Sequence, residues 1–225
     1  FIMYVNELVN ECKKDGCNKI FVSEEASDII LLLYADDLAL FNDNVARLQK
    51  LLNSLDEFCY KHGLKINLAK SNIMVFGNGE PLRKNEKWYI NGKPVQVTPY
   101  YKYLGLVFSS RMKWSEAVDT LASQARKAVG VIKTLYYKCG SLPIDIAFEL
   151  FDKMVVAVLT YGAEIWGGVY QDRIESVHRS FCKFILKVPS QAPKAAVLGE
   201  CGRSPICVIY MTKCVKFWFK IMNMS

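Results

Sequence analysis

Apolar and polar positions alternate with two different periods along the chain. Between Asp43 and His62 the apolar residues Val45, Leu48, Leu51, Leu52, Leu55, Phe58 and Cys59 recur every three or four positions. That spacing turns one side of a helix toward a core. Asn42 or Asp43 is placed to cap its start, and Gly63 to end it. On either side the runs are shorter and read as strands: Ile20 to Val22, Ile29 to Phe41 around two acids, Leu64 to Ile66, Ile73 to Phe76, and Tyr101 to Ser109. Residues 1–13 read as the end of a helix. Gly77-Asn78-Gly79-Glu80-Pro81 is turn-rich, and Trp88-Tyr89-Ile90 with Pro94 to Val97 predicts a hairpin closed by Asn91-Gly92.

After Ser110 the period becomes helical throughout. Trp114, Ala117, Val118, Leu121, Ala122, Ala125, Ala128, Val129, Ile132, Leu135 and Tyr136 trace one face of a long helix. Pro143 opens a second helix, through about Leu159. A third spans roughly Arg173 to Lys187 and stops before Pro189, and a fourth runs from Ile206 onward. A helix backing an antiparallel sheet, followed by a bundle of amphipathic helices, is an α+β architecture. The change of period divides the chain into 1–110 and 111–225.

Composition narrows the class. With 225 residues, 52% of them hydrophobic, the chain is long enough to bury a core and too apolar for disorder. The longest apolar stretch, Met154 to Tyr170, is interrupted by Gly162 and Glu164 and falls short of the ~18 residues of a membrane span. From Phe1 onward there is neither a basic start nor a small-residue cleavage site. The eight cysteines lack the close C-x-x-C pairs of a zinc site, and the two histidines, His62 and His178, lie far apart. The expectation is reduced core thiols in an intracellular protein.

Charge is unevenly spread. Residues 1–80 hold eight Lys/Arg against twelve Asp/Glu, whereas 81–225 hold 21 against ten. The first part gathers acids, as around a cation. The second has the excess expected of a surface gripping a phosphate backbone, or of a merely solvated basic face.

The acids that stand out are Asp36 and Asp37, in Tyr34-Ala35-Asp36-Asp37 between the apolar runs Ile29 to Leu33 and Leu38 to Phe41. Adjacent carboxylates repel, and flanking burial disfavours their ionisation. A hard divalent cation resolves both; a solvated turn is the simpler alternative. Neighbouring side chains on a straight strand face opposite ways, so a bend is needed if both acids serve one site.

This element resembles the YxDD box of reverse transcriptases, in the YADD form of non-LTR (LINE-type) retrotransposons. Three further blocks follow in family order. Gly63-Leu64-Lys65-Ile66-Asn67-Leu68-Ala69-Lys70-Ser71 is similar to the GLxxNxxKS block, Tyr103-Leu104-Gly105 to the YLG block of the primer-grip hairpin, and Glu200-Cys201-Gly202-Arg203-Ser204-Pro205 to the GExGRxPL stretch beyond the polymerase core. Group II intron and telomerase-like transcriptases are a less close likeness. The resemblance implies a C-terminal half of a polymerase palm over 1–110, then a helical thumb and post-thumb region over 111–225.

The implied activity is RNA-directed DNA synthesis, extending a DNA primer on an RNA template from deoxynucleoside triphosphates with two magnesium ions. Asp36 and Asp37 are the implied catalytic and metal-binding acids. Lys70 is implied near the incoming triphosphate, as general acid for pyrophosphate or as a counter-charge. Tyr34, Ala35, Tyr103, Leu104 and Gly105 would contact primer or nucleotide. Arg111, Lys113, Arg126, Lys127, Lys133 and Lys138 would meet the nucleic acid, as would Arg179, Lys183 and Lys187 at i, i+4 and i+8 of the third helix. The family places another metal-binding aspartate well before the YADD box. Only 33 residues precede Tyr34 here, and of the candidate acids among them, Asp15, Glu24, Glu25 and Asp28, the last lies a strand's length away. Phe1 to Leu8 resembles the helix after the second upstream block. The expectation is a piece of a polyprotein whose endonuclease and upstream palm lie outside it, acting in the nucleus after a cytoplasmic ribonucleoprotein stage, without a membrane. A non-catalytic nucleic-acid-binding remnant or domesticated scaffold is the alternative.

Overall fold

The computed structural model describes residues 31–77, 86–167 and 171–223. The expectations for 1–13 and Ile20 to Val22, the acids upstream of Tyr34, and most of the 77–81 loop lie outside the described residues. The chain divides into two compact units, 1–101 and 102–225.

In the first unit, strands β1 (Leu31–Tyr34) and β2 (Asp37–Leu40) pair antiparallel, with Leu31 opposite Leu40 and Tyr34 opposite Asp37. Helix α1 (Val45–Lys61) follows. Its cap is Asn44, not Asn42 or Asp43. The Asn44 Oδ1 accepts from the backbone N–H of Ala46 at 2.9 Å and of Arg47 at 3.1 Å, while Asn42 accepts from the Asn44 N–H and shapes the approach. The helix ends as Gly63 implies. Gly63 adopts a left-handed φ of 65°, its N–H donates to the Tyr60 carbonyl, and the Leu64 N–H donates to that of Cys59.

Leu51, Leu55, Phe58 and Cys59 are buried with Leu31, Leu38 and Leu40 packed against them. Leu52 joins a second cluster with Ile73, Trp88, Ile90 and Val95. The apolar spacing of α1 thus serves two sets of strands.

Leu64 to Ile66 is not a strand, and only Asn72–Ile73 (β3) of the run 73–76 neighbourhood is one. Asn67 diverts the chain. Its side-chain oxygen accepts from the Ala69 N–H, and its carbonyl from the N–H groups of Lys70 and Ser71 and from the Ser71 hydroxyl. These local bonds replace a ladder.

The Asn-Gly hairpin forms as its sequence predicts, though it is short. Strands β4 (Tyr89–Ile90) and β5 (Lys93–Pro94) pair antiparallel around Asn91 and Gly92, at φ 49° and 67°. The Gln49 side chain donates to the Tyr89 carbonyl and accepts its N–H, tying α1 to β4 as a strand would. Strand β6 (Gln96–Val97) runs parallel to β3.

Where 101–109 suggests a single strand the chain forms a hairpin: β7 (Tyr100–Tyr103) turns through Leu104-Gly105 into β8 (Leu106–Ser109). Helix α2 (Ser115–Lys138) buries Ala117, Val118, Leu121, Ala122, Ala125, Val129 and Ile132. After the Pro143 cap come α3 (Ile144–Leu150), a π-helical stretch Phe151–Val156, and α4 (Ala157–Leu159). Then follow α5 (Ala163–Trp166), α6 (Gln171–Leu186), α7 (Lys194–Glu200) and α8 (Ile206–Met222). One core joins them, with Phe151 stacked on Phe181 at 4.5 Å and Trp166 against Tyr210. No described helix is long and apolar enough to cross a membrane.

Candidate functional site

Strand pairing places the two acids at a two-residue turn. Tyr34 pairs with Asp37, so Ala35 and Asp36 form the connection, and Ala35 adopts a left-handed φ of 54°. The backbone therefore bends at the pair of acids. Tyr34, Ala35, Asp36 and Asp37 are all exposed, Tyr34 at 65%. Among the described residues, neither carboxylate has a hydrogen-bond or ion-pair partner. Two exposed carboxylates fit magnesium, which takes one or two such oxygens and leaves other positions to water and phosphate. No cluster of three or more His, Cys, Asp or Glu side chains able to hold a metal occurs among the described residues.

Lys70 lies in the same unit, in the turn that Asn67 organises. Its carbonyl accepts the Tyr101 hydroxyl at 2.9 Å and the Asn72 side-chain amide at 3.4 Å. The backbone is thereby held while the side chain is exposed.

The YLG block sits on a braced turn in the second unit. Leu104 and Gly105 have φ of 47° and 85°. The Tyr161 hydroxyl donates to the Leu104 carbonyl, and a Cβ on Gly105 would come within 3.4 Å of the Tyr161 ring. Tyr103 is half-buried and meets Phe108, which in turn meets Trp114 at 5.3 Å.

The basic candidates separate into two groups. Arg111 and Lys113 are exposed in the link between β8 and α2, and Lys127 and Lys138 are exposed on α2. The others gather along α2 and α6: Arg126 reaches the Ser176 hydroxyl at 3.5 Å, and Lys133 lies 4.7 Å over the Phe184 ring. Arg179 and Lys183 line one cleft with Lys187. Lys187 is not on the helix face that i+8 implies. It follows the last residue of α6, at a left-handed φ of 54°, where its N–H donates to the Phe184 carbonyl and the Val188 N–H to that of Lys183. The Lys183 ammonium donates to the Ser190 carbonyl.

Three partners had no sequence signal. Tyr161 lies inside an apolar stretch. Asp152 receives both guanidinium nitrogens of Arg203, one at 2.8 Å, which gives the Gly202-Arg203 block a structural task; the guanidinium also lies 5.1 Å from the Phe148 ring. Glu175 is buried and accepts the Cys207 N–H at 2.9 Å, supplying the start of α8 with the cap that Pro205 cannot provide. His178 Nδ1 lies 3.6 Å from the other oxygen of Glu175. Burial works to raise the Glu175 pKa, but the His178 contact, the Cys207 N–H and the charges of His178 and Arg179 outweigh it and hold the carboxyl below its ordinary value.

Residues 1–108 match the family described as reverse transcriptase (RNA-dependent DNA polymerase). The RNA-directed DNA polymerases from mobile element jockey are 23% identical over 172 residues in Drosophila funebris and 21% over 178 in Drosophila melanogaster. These alignments cover 74% and 76% of this chain, and 18% and 19% of those proteins. The Pol polyprotein from the type-1 retrotransposable element R2 of Popillia japonica is 34% identical over 125 residues, covering 52% of this chain and 24% of that protein. The first 108 residues of this chain belong with the reverse transcriptases of non-LTR retrotransposons. The chain spans about a fifth of the length of its jockey relatives. No solved structure matches it. The matched residues take in the YADD turn, the Lys70 turn and the YLG hairpin; helices α2 to α8 lie beyond them.

Proposed function

We propose that this chain contributes to RNA-directed DNA synthesis, residues 1–110 as part of a polymerase palm and 111–225 as a thumb and post-thumb region on the template–primer. The observation that carries the reading is the Tyr34–Asp37 turn, where two exposed carboxylates follow each other at a bend fixed by strand register. In the reaction a primer 3′-hydroxyl forms a bond to the α-phosphorus of a deoxynucleoside triphosphate, the bond to the β-phosphate oxygen breaks, and pyrophosphate leaves. Magnesium, when bound, would activate the attacking hydroxyl and stabilise the leaving oxygen.

Asp36 and Asp37 supply hard oxygen ligands for it, Asp36 directly. Tyr34 and Ala35 present the surface beside the primer terminus. The Lys70 side chain, on a backbone pinned by Tyr101, offsets triphosphate charge or protonates departing pyrophosphate. The Leu104-Gly105 turn presents its backbone to the primer, with Tyr161 holding it. A nuclear site of action follows from copying onto a chromosomal primer.

The test is primer extension on poly(A) with magnesium and dTTP. The chain is assayed alone and joined to the upstream polymerase segment of a jockey element, which supplies the earlier metal-binding block. Extension by the joined protein supports the reading. No extension by either form, with salt-sensitive duplex binding retained by both, favours a non-catalytic binding remnant.

A further inference from the structure

Between the C-terminal half of α2 and α6 lies an open cleft of about 780 Å³. On one side Tyr136 and Tyr137 stand edge-on to Phe184, with ring centroids 5.2 and 5.9 Å away. Arg179, Lys183 and Lys187 also line it, with four serines, Gly140 and Val188. No carboxylate is among these lining residues. Asp172, 3.8 Å from Arg179, is almost fully solvated.

Lys183 and Lys187 have no acid partner among the described residues and that of Arg179 is solvated, so the cleft calls for an anion. The aromatic wall calls for a planar apolar face beside that anion. Tyr137 is 71% exposed, so its ring offers such a face without repacking the core. A duplex keeps its base faces inside the stack and shows only their edges. An unpaired strand offers both faces and phosphates together. The cleft volume also falls in the roughly 300–1,000 Å³ range of sites that enclose a small ligand.

We propose that this cleft binds single-stranded nucleic acid, with one unpaired base on Tyr137 and adjoining phosphates on Arg179, Lys183 and Lys187. The site rests on the polymerase reading only in taking its ligand to be nucleic acid. It adds a hold on unpaired template or flanking strand outside the duplex.

Fluorescence anisotropy on the full chain tests it, using a labelled 12-nucleotide RNA, DNA of the same sequence, and a blunt RNA–DNA duplex, each across a salt series. Tyr137→Ala should weaken single-strand binding roughly 5- to 100-fold, leave its salt dependence unchanged, and spare the duplex. Tyr137→Phe should retain the affinity. Lys187→Gln should weaken binding and reduce the salt slope by about 0.7. Loss on RNA alone, DNA alone or both supports the site and identifies the strand it takes. Unchanged single-strand affinity in Tyr137→Ala, or an equal loss on the duplex, overturns it. No synthesis is measured, so failure of primer extension with this binding intact would overturn the polymerase reading alone.

Discussion

The Tyr161 hydroxyl donates a 2.6 Å hydrogen bond to the carbonyl oxygen of Leu104, 57 residues earlier in the chain. The bond closes over a turn whose two central residues both have positive φ. Removing the hydroxyl in Tyr161→Phe should cost about 1 kcal/mol. Gly105→Ala should cost about 1–2 kcal/mol, because an alanine there is held in the left-handed region with its Cβ against the Tyr161 ring. Urea denaturation of the two variants measures both. In a primer-extension assay both should lower affinity for the primer more than the rate at saturation.

Lys187 occupies a position where helices usually place glycine. Lys187→Gly should therefore raise stability by about 1 kcal/mol while weakening oligonucleotide binding. Opposite signs in denaturation and anisotropy would show a strained residue kept for its charge. Loss of both would assign Lys187 to structure alone.

Glu175 gives a pH dependence whose sign is fixed. Its folded pKa is lowered from 4.5, so its contribution is present above that value and is lost as pH falls through the folded pKa. Melting temperatures from pH 6 to pH 3 should show Glu175→Gln least stable relative to the parent at the upper end. The difference should narrow below about pH 4.5.

Arg203 and Asp152 form a two-pronged pair whose side chains are 21% and 45% exposed. Lysine cannot reproduce the fork. A double-mutant cycle with Arg203→Lys and Asp152→Asn should return a coupling of about 1 kcal/mol.

Apolar period located the helices well. Leu51, Leu55 and Phe58 on α1, and Val118 to Ile132 on α2, are buried as their spacing requires. It failed where polar groups bend the backbone. Leu64 to Ile66 has a strand's composition, but the Asn67 carbonyl and side chain capture the neighbouring donors. Tyr101 to Ser109 reads as one strand because Leu104 is apolar, although Leu104 and Gly105 turn the chain. The π-helical stretch leaves no mark either, since Phe151 to Val156 keeps a helical apolar pattern while the ladder widens. Helix α7 carries no apolar period, since Val197 is its one buried residue. The acids and Lys70 were legible as short motifs, whereas Tyr161, Asp152 and Glu175 act through contacts 32 to 57 residues away.

On the proposed reading Asp36 serves the chemistry and not the fold. It is exposed and without a partner among the described residues, so Asp36→Asn should melt as the parent does and bind primer–template with unchanged affinity. The decisive measurement is single-turnover primer extension with magnesium by the joined polymerase, comparing Asp36→Asn with its parent at saturating primer–template. The expected result is extension reduced to background with binding intact; extension at the parental rate would remove Asp36 from the chemistry.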